Sequence, residues 1–213
     1  MKIFIGYEKK YPEMFEVCRA SIRKYNSDIE IIPLIKEGIK EYSRPYEGES
    51  TDFAFTRFLV PHLSNYEGIS IFCDGDFLWR CNPEELLNYV HRGKAVSVVK
   101  HPILVTELHR KMDDKTNRPY PKKYWSSLMV FNNSFCRDLT PEVVNTVKAG
   151  WLHRLSWANG ISEIPATYNY LVGYYGFANP KVVHFTDGGP WLDEYRNVPF
   201  ANEWLELYDT LYK

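Results

Sequence analysis

Short apolar runs alternate along the chain with segments whose apolar residues recur at helical spacing. Lys2 to Ile5 is apolar-rich and ends at Gly6, Met14 to Tyr25 sets Phe15, Cys18, Ile22 and Tyr25 on one helical face, and Ile29 to Leu34 is apolar again. That pattern predicts a strand, a helix and a strand. After a turn-rich stretch from Lys36 to Ser50, Phe53 to Leu63 predicts a helix, and Ile69-Ser70-Ile71-Phe72-Cys73 a buried strand ending at Asp74-Gly75-Asp76. Asn82-Pro83-Glu84-Glu85 offers an N-cap, a proline at the first helical position and acids in the first turn, so a helix is expected to about Val90. Ala95 to Val99 and Ser127 to Phe131 predict strands. Between them, His101 to Tyr124 is polar, basic and Pro-containing, and predicts an irregular loop of the kind that faces substrate. Thr140-Pro141-Glu142 opens a helix reaching Ala149, with Gly150 at its end, Lys181 to Phe185 predicts a short strand, and Glu203 to Tyr212 a closing helix. The alternation predicts an α/β fold: one domain over residues 1–213, a sheet with helices on both faces. Ligands of such sheets bind at the carboxyl ends of the strands.

Composition narrows the function classes. With 26 basic and 27 acidic residues the net charge is −1, so there is no global field to draw in nucleic acid, and any anionic ligand must be met by local groups. No apolar run approaches bilayer-spanning length, and the amino-terminal residues read as a strand rather than a signal peptide, so a soluble, cytoplasmic protein is expected. Cys18, Cys73, Cys81 and Cys136 form no Cys-x-x-Cys pair, which favours buried thiols in a reducing compartment. Sixteen Tyr and six Trp supply faces that stack on sugar rings or bases, or that fill a core.

The candidate chemistry lies at Asp74 and Asp76. Two carboxylates one residue apart at a strand end converge only if the chain turns, which Gly75 permits, and they repel unless a cation lies between them. A solvated acidic turn would show the same triplet. Near the other end of the chain, Val182-Val183-His184-Phe185-Thr186-Asp187-Gly188-Gly189-Pro190-Trp191 sets a histidine at a strand end before two glycines whose backbone could approach a phosphate. Hard carboxylate oxygens suit Mg²⁺ or Mn²⁺, and one imidazole in the set leans towards Mn²⁺.

Six stretches in order resemble the GT-A glycosyltransferases, especially family 8: Ile3 to Tyr7, Ser50 to Phe58, Ile71 to Asp76, Trp125 to Asn132, Tyr168 to Val172 and the His184 segment. The resemblance implies a single GT-A (Rossmann-like) domain with a mixed, mostly parallel sheet, and a metal-dependent enzyme that moves a hexose-type sugar from a uridine diphosphate (UDP) donor to an acceptor hydroxyl of a glycan or other molecule, with retention. It implies a uridine pocket at Gly6, Tyr7 and Glu8, and places Arg57 against donor phosphate or sugar. Asp74, Asp76 and His184 match the metal ligands, with Gly75, Gly188 and Gly189 beside the diphosphate. Asn132 and Asn169 would face donor sugar or acceptor, and Trp125 and Trp191 would flank them. The chain is also similar to chlorovirus-encoded glycosyltransferases, which would make it the first domain of a longer protein of viral glycan synthesis in the host cytoplasm.

Two departures stand out. The phosphate-contacting lysine usual after the His-segment glycine is missing, leaving Arg118, Lys122 and Lys123 as candidate cations, and Asn159-Gly160-Ile161 stands where relatives often carry an acid. These departures keep open a nucleotide-sugar-binding module without catalysis. A phosphatase of the haloacid dehalogenase type also begins with Asp-x-Asp at a strand end, with Asp113-Asp114 as its downstream pair, but that motif normally follows the first strand.

Overall fold

The computed structural model describes residues 1–102, 109–110, 112–114, 116–117, 120–176 and 179–212. In chain order the regular elements are β1 (Lys2–Gly6), α1 (Pro12–Arg23), β2 (Glu30–Leu34), α2 (Val60–Leu63), β3 (Ile69–Cys73), β4 (Phe77–Trp79), β5 (Val96–Val99), β6 (His109–Arg110) and β7 (Thr116–Asn117). They continue with β8 (Leu128–Asn132), α3 (Pro141–Thr146), α4 (Ala149–His153), β9 (Ile161–Ile164), β10 (Tyr170–Leu171), β11 (Val182–His184) and α5 (Ala201–Tyr212).

Six strands form the main sheet in the order β2-β1-β3-β8-β5-β9. β1 pairs in parallel with β2 and β3, β5 pairs in parallel with β9, and β8 runs antiparallel to both its neighbours. Five strands therefore present their carboxyl ends at one edge and β8 presents its amino end there. Strand alternation splits the core in two. Ile3, Ile5, Ile71, Cys73, Leu128 and Val130 face Phe15, Cys18 and Ile22 of α1, whereas Phe4, Phe72, Met129 and Phe131 face Phe53, Phe58, Leu152 and Trp157. Each such side chain contributes roughly 1.5–3 kcal/mol on burial. A second sheet, β10-β11-β4, packs with Val17 and Trp204, bringing α5 against it.

Several boundaries differ from expectation. Phe53 to Leu63 is not one helix: a 3-10 turn over Thr56–Leu59 runs into the single turn of α2. Asn82 caps as expected, accepting from the Glu84 amide at 3.0 Å, but the helix it opens, Pro83–Tyr89, is 3-10. Thr140 caps α3 through the Val143 amide at 3.2 Å, yet α3 stops at Thr146, and Gly150 lies inside α4 instead of ending the first helix. Strands β4, β9 and β10 carry no signal in the sequence because two to four residues are too few to show a period.

All four cysteines are buried free thiols, and burial pushes Cys81 and Cys136 up to about 12, far from the reactive thiolate at neutral pH. Among the described residues no helix is long and apolar enough to cross a membrane.

Candidate metal and donor site

Beyond Cys73 the chain turns through Asp74-Gly75-Asp76 directly into β4. A Cβ on Gly75 would lie 2.5 Å from the Gly6 carbonyl oxygen, so glycine is required by the close approach of two backbones rather than by a left-handed dihedral. β4 pairs antiparallel with β11 in a register that sets His184 opposite Phe77, and the Phe185 amide donates to the Asp76 carbonyl at 3.0 Å. This pairing carries the imidazole to the carboxylates: His184 Nε2 lies 3.4 Å from Asp76 Oδ1.

One ligand atom from each of Asp74, Asp76 and His184 lies within 4.8 Å of the others. Atoms about 2.1 Å from one cation lie about 3 Å apart when adjacent and about 4.2 Å when opposite, so a small closing movement suits the set to Mg²⁺ or Mn²⁺. The imidazole is oriented from behind. His184 Nδ1 is 2.9 Å from Asn169 Oδ1, Asn169 Nδ2 donates to Ser127 Oγ at 2.9 Å, and Ser127 Oγ donates to the Tyr124 carbonyl at 2.7 Å.

Arg57 is a buried strut. Its guanidinium donates to the carbonyls of Phe53 (3.1 Å) and Ser126 (2.8 Å), pairs with Asp74 at 2.8 Å, and lies over the rings of Phe53 and Phe72. His153 packs beside it, with Nδ1 3.2 Å from Ser126 Oγ. Burial, and then the charges of Arg57 and Arg44, push His153 down to about 3. Because the folded value lies below the unfolded one near 6.5, this histidine's contribution is fully present above pH 6.5 and is lost as pH falls towards 3. The unfolding free energy from urea titration is therefore expected to fall below pH 6.5, with a slope approaching about 1.4 kcal/mol per pH unit from this group. A His153→Gln variant should be less acid-sensitive by about one proton, and parallel pH profiles for the two proteins would contradict the assignment.

The remaining predicted residues divide. Gly6 lies beneath the Phe53 ring, where a Cβ would sit 2.6 Å from it. Tyr7 is half-buried against Phe15, and Glu8 accepts from the Asp52 amide at 3.1 Å, tying the loop after β1 to the segment that leads to Arg57. Trp125 is half-buried where β8 begins, at the site's edge of the sheet. Trp191 packs among Tyr11, Phe185 and Trp204. Cβ atoms on Gly188 and Gly189 would collide with the rings of Tyr195 (2.5 Å) and Trp191 (2.2 Å), so aromatic packing accounts for both glycines.

Three expectations are corrected. Asn132 pairs with Ile69, at the far end of β3 from Asp74, because β8 is antiparallel; its side chain cannot face a ligand bound at Asp74. Asn169 is fully buried with both ends of its amide engaged behind His184, so it does not face a sugar. Asn159 and Gly160 precede β9, at the edge away from Asp74, so the segment where relatives often carry an acid does not lie at the Asp74 end of the sheet.

Of the loop cations, Lys122 donates to the Arg154 carbonyl, and Arg118 lies outside the described residues. Lys123 is buried with its ammonium over the rings of Tyr120 and Tyr124, and Tyr124 packs edge-on to His184. The described part of the loop does face the site's end of the sheet: the Met112 amide donates to the Asp187 carbonyl at 2.8 Å, and the Asp113 carboxylate accepts from Tyr11 and Lys10. Asp113 is thus held by Tyr11 and Lys10. Ser126, Ser127 and His153 were not singled out from the sequence, and only the position of the two serines within the Trp125 to Asn132 stretch pointed towards them.

No family model matches the chain. It is 36% identical over 219 residues to Protein CDI of Arabidopsis thaliana, covering 96% of this chain and 84% of that protein. The chain belongs to the Protein CDI family. Among solved structures, this family member resembles the WbbM bifunctional glycosyltransferase with a TM-score of 0.67 at 16% identity, over 98% of this chain and 49% of that one, so it spans about half the WbbM length. Galactosyltransferase LgtC, solved with donor and acceptor sugar analogs, matches with a TM-score of 0.61 at 12% identity, over 100% of this chain and 97% of its own. A glycosyltransferase involved in glycosylation of the major capsid of PBCV-1 matches with a TM-score of 0.55 at 9% identity, over 100% and 98% of the two chains. At these identities the likeness is one of fold. The α/β architecture is the GT-A fold of these glycosyltransferases, and the expected fold class holds.

Proposed function

We propose that residues 1–213 form a metal-dependent glycosyltransferase domain that moves a hexose-type sugar from a UDP donor to an acceptor hydroxyl, with retention as in family 8. One observation carries this reading: in a GT-A fold, Asp74, Asp76 and His184 bring their ligand atoms within 4.8 Å of one another at the edge of the sheet where ligands bind. Mn²⁺, or Mg²⁺, held there would supply positive charge where the departing diphosphate develops its negative charge. The chain's own groups do the rest. Arg57 holds Asp74 in place, Asn169 holds His184, and Lys123 is the loop cation that substitutes for the absent lysine. The loop of Gly6, Tyr7 and Glu8 takes uridine, and Trp125 flanks the sugar. The four buried free thiols support a reducing compartment such as the cytoplasm.

A thermal-shift screen of nucleotide sugars with and without Mn²⁺ tests this. At a hundredfold excess over Kd, a UDP-sugar with Mn²⁺ is expected to raise Tm by on the order of 5–10 °C, with guanosine and cytidine donors well below that. Equal shifts for every base would remove the uridine assignment, and no shift with any nucleotide sugar would remove the function. Release of UDP from the bound donor separates an enzyme from a binding module.

A further inference from the structure

The hydrogen-bonded chain behind His184 has a direction. It ends on the Tyr124 carbonyl, which can only accept, so the Ser127 hydroxyl donates there and its oxygen is left to accept from the Asn169 amide nitrogen. The amide is thereby turned with Oδ1 towards His184, and an oxygen facing Nδ1 requires a hydrogen on that nitrogen. We propose that Asn169 is a positioning residue that fixes His184 as the Nδ1–H tautomer and aims the lone pair of Nε2 at the space shared with Asp74 and Asp76. The metal-binding half of this inference rests on the glycosyltransferase reading, whereas the tautomer does not.

The same turn serves the other half of the ligand set. Ser127's carbonyl accepts from the Asp74 amide at 3.0 Å, and Ser126's carbonyl accepts from Arg57, which pairs with Asp74. Tyr124, at the head of this turn, sits in the left-handed region at φ 67°, and its carbonyl also receives the Ser127 amide at 3.2 Å. A short turn at the start of β8 thus sets Asp74 through the main chain and His184 through Asn169. Ligand atoms from two distant segments of the chain are referred to one short piece of backbone. Partners of this kind commonly change metal affinity 10- to 100-fold when removed.

The competing arrangement flips the amide, breaks the Ser127 bond to the Tyr124 carbonyl, and puts the proton on Nε2 facing Asp76. Nitrogen-15 NMR of the metal-free protein separates the two. A hydrogen on Nδ1 of His184 is expected, and an unprotonated Nδ1 with the hydrogen on Nε2 would overturn the proposal. Mn²⁺ affinity, read by electron paramagnetic resonance without any turnover, gives the second readout. Asn169→Asp keeps an acceptor for Nδ1–H and should bind within about threefold of wild type, whereas Asn169→Leu should bind about 10- to 100-fold more weakly. If Asn169→Leu does not fold, the Asp variant and the NMR pattern still decide. Equal Mn²⁺ affinity for a folded Leu variant would overturn the positioning role. A wild-type protein with the expected tautomer that binds no Mn²⁺ in the presence of UDP-sugar would overturn the glycosyltransferase reading while supporting the tautomer.

Discussion

Asp76→Asn is expected to lower metal-dependent sugar transfer by on the order of a hundredfold or more, with little change in Tm. Asp76 is 6% exposed and lies against His184, and the substitution keeps its size while removing one negative charge and one hard oxygen ligand. A diphosphate brings at least two negative charges of its own, so without a bound cation the two carboxylates would repel it. Loss of the ligand therefore costs donor binding and transition-state stabilisation together, several kcal/mol in all. Stability should hold or rise slightly, because one of two neighbouring carboxylates no longer repels the other. Donor turnover with added Mn²⁺, with chelator and in the variant measures this. Undiminished transfer in chelator, or unchanged metal and donor binding in Asp76→Asn, would make the triplet no more than a strand-end turn.

Arg57→Met is expected to behave in the opposite sense, losing about 3–5 kcal/mol of stability by urea unfolding, with activity falling as the fold is lost. The guanidinium satisfies two buried carbonyls and pairs with Asp74 while packed on two phenyl rings, so its removal leaves a carboxylate and two acceptors without it. Arg57→Lys retains the charge, but one ammonium cannot reproduce the planar fork, and a loss of about 1–3 kcal/mol is expected. The resemblance to family 8 places Arg57 against donor phosphate or sugar. A folded Arg57→Met protein of wild-type stability that has lost donor affinity would restore that role.

These two predictions concern one residue that residue type and position mark out and one whose contacts only the packed chain shows. Asp74, Asp76 and His184 stand out as candidates from residue type and position, because hard oxygens at a strand end and a histidine at another strand end are local facts, and the resemblance to family 8 groups the three. The α/β alternation was equally local: apolar periods of two and of three to four residues distinguish strands from helices wherever an element is long enough to show them. β4 and β10, at three and two residues, are not, yet β4's antiparallel register with β11 is what brings His184 to Asp76. The direction of a strand is likewise invisible in its own residues. β8 reads as any buried strand does, and only its antiparallel place between β3 and β5 sends Asn132 to the wrong edge of the sheet while bringing Ser126 and Ser127 to the right one. Glycine shows the same limit: the sequence marks Gly75, Gly188 and Gly189 as special, but whether a ligand, a carbonyl or an aromatic ring fills the missing Cβ position is decided by segments distant along the chain. By itself the sequence determined which elements form and which groups can bind a cation, since both depend on neighbouring residues. Tertiary structure alone decided which of those groups meet and which partners the side chains of Arg57 and Asn169 bond to, because hydrogen-bond partners and strand direction are properties of the packed chain.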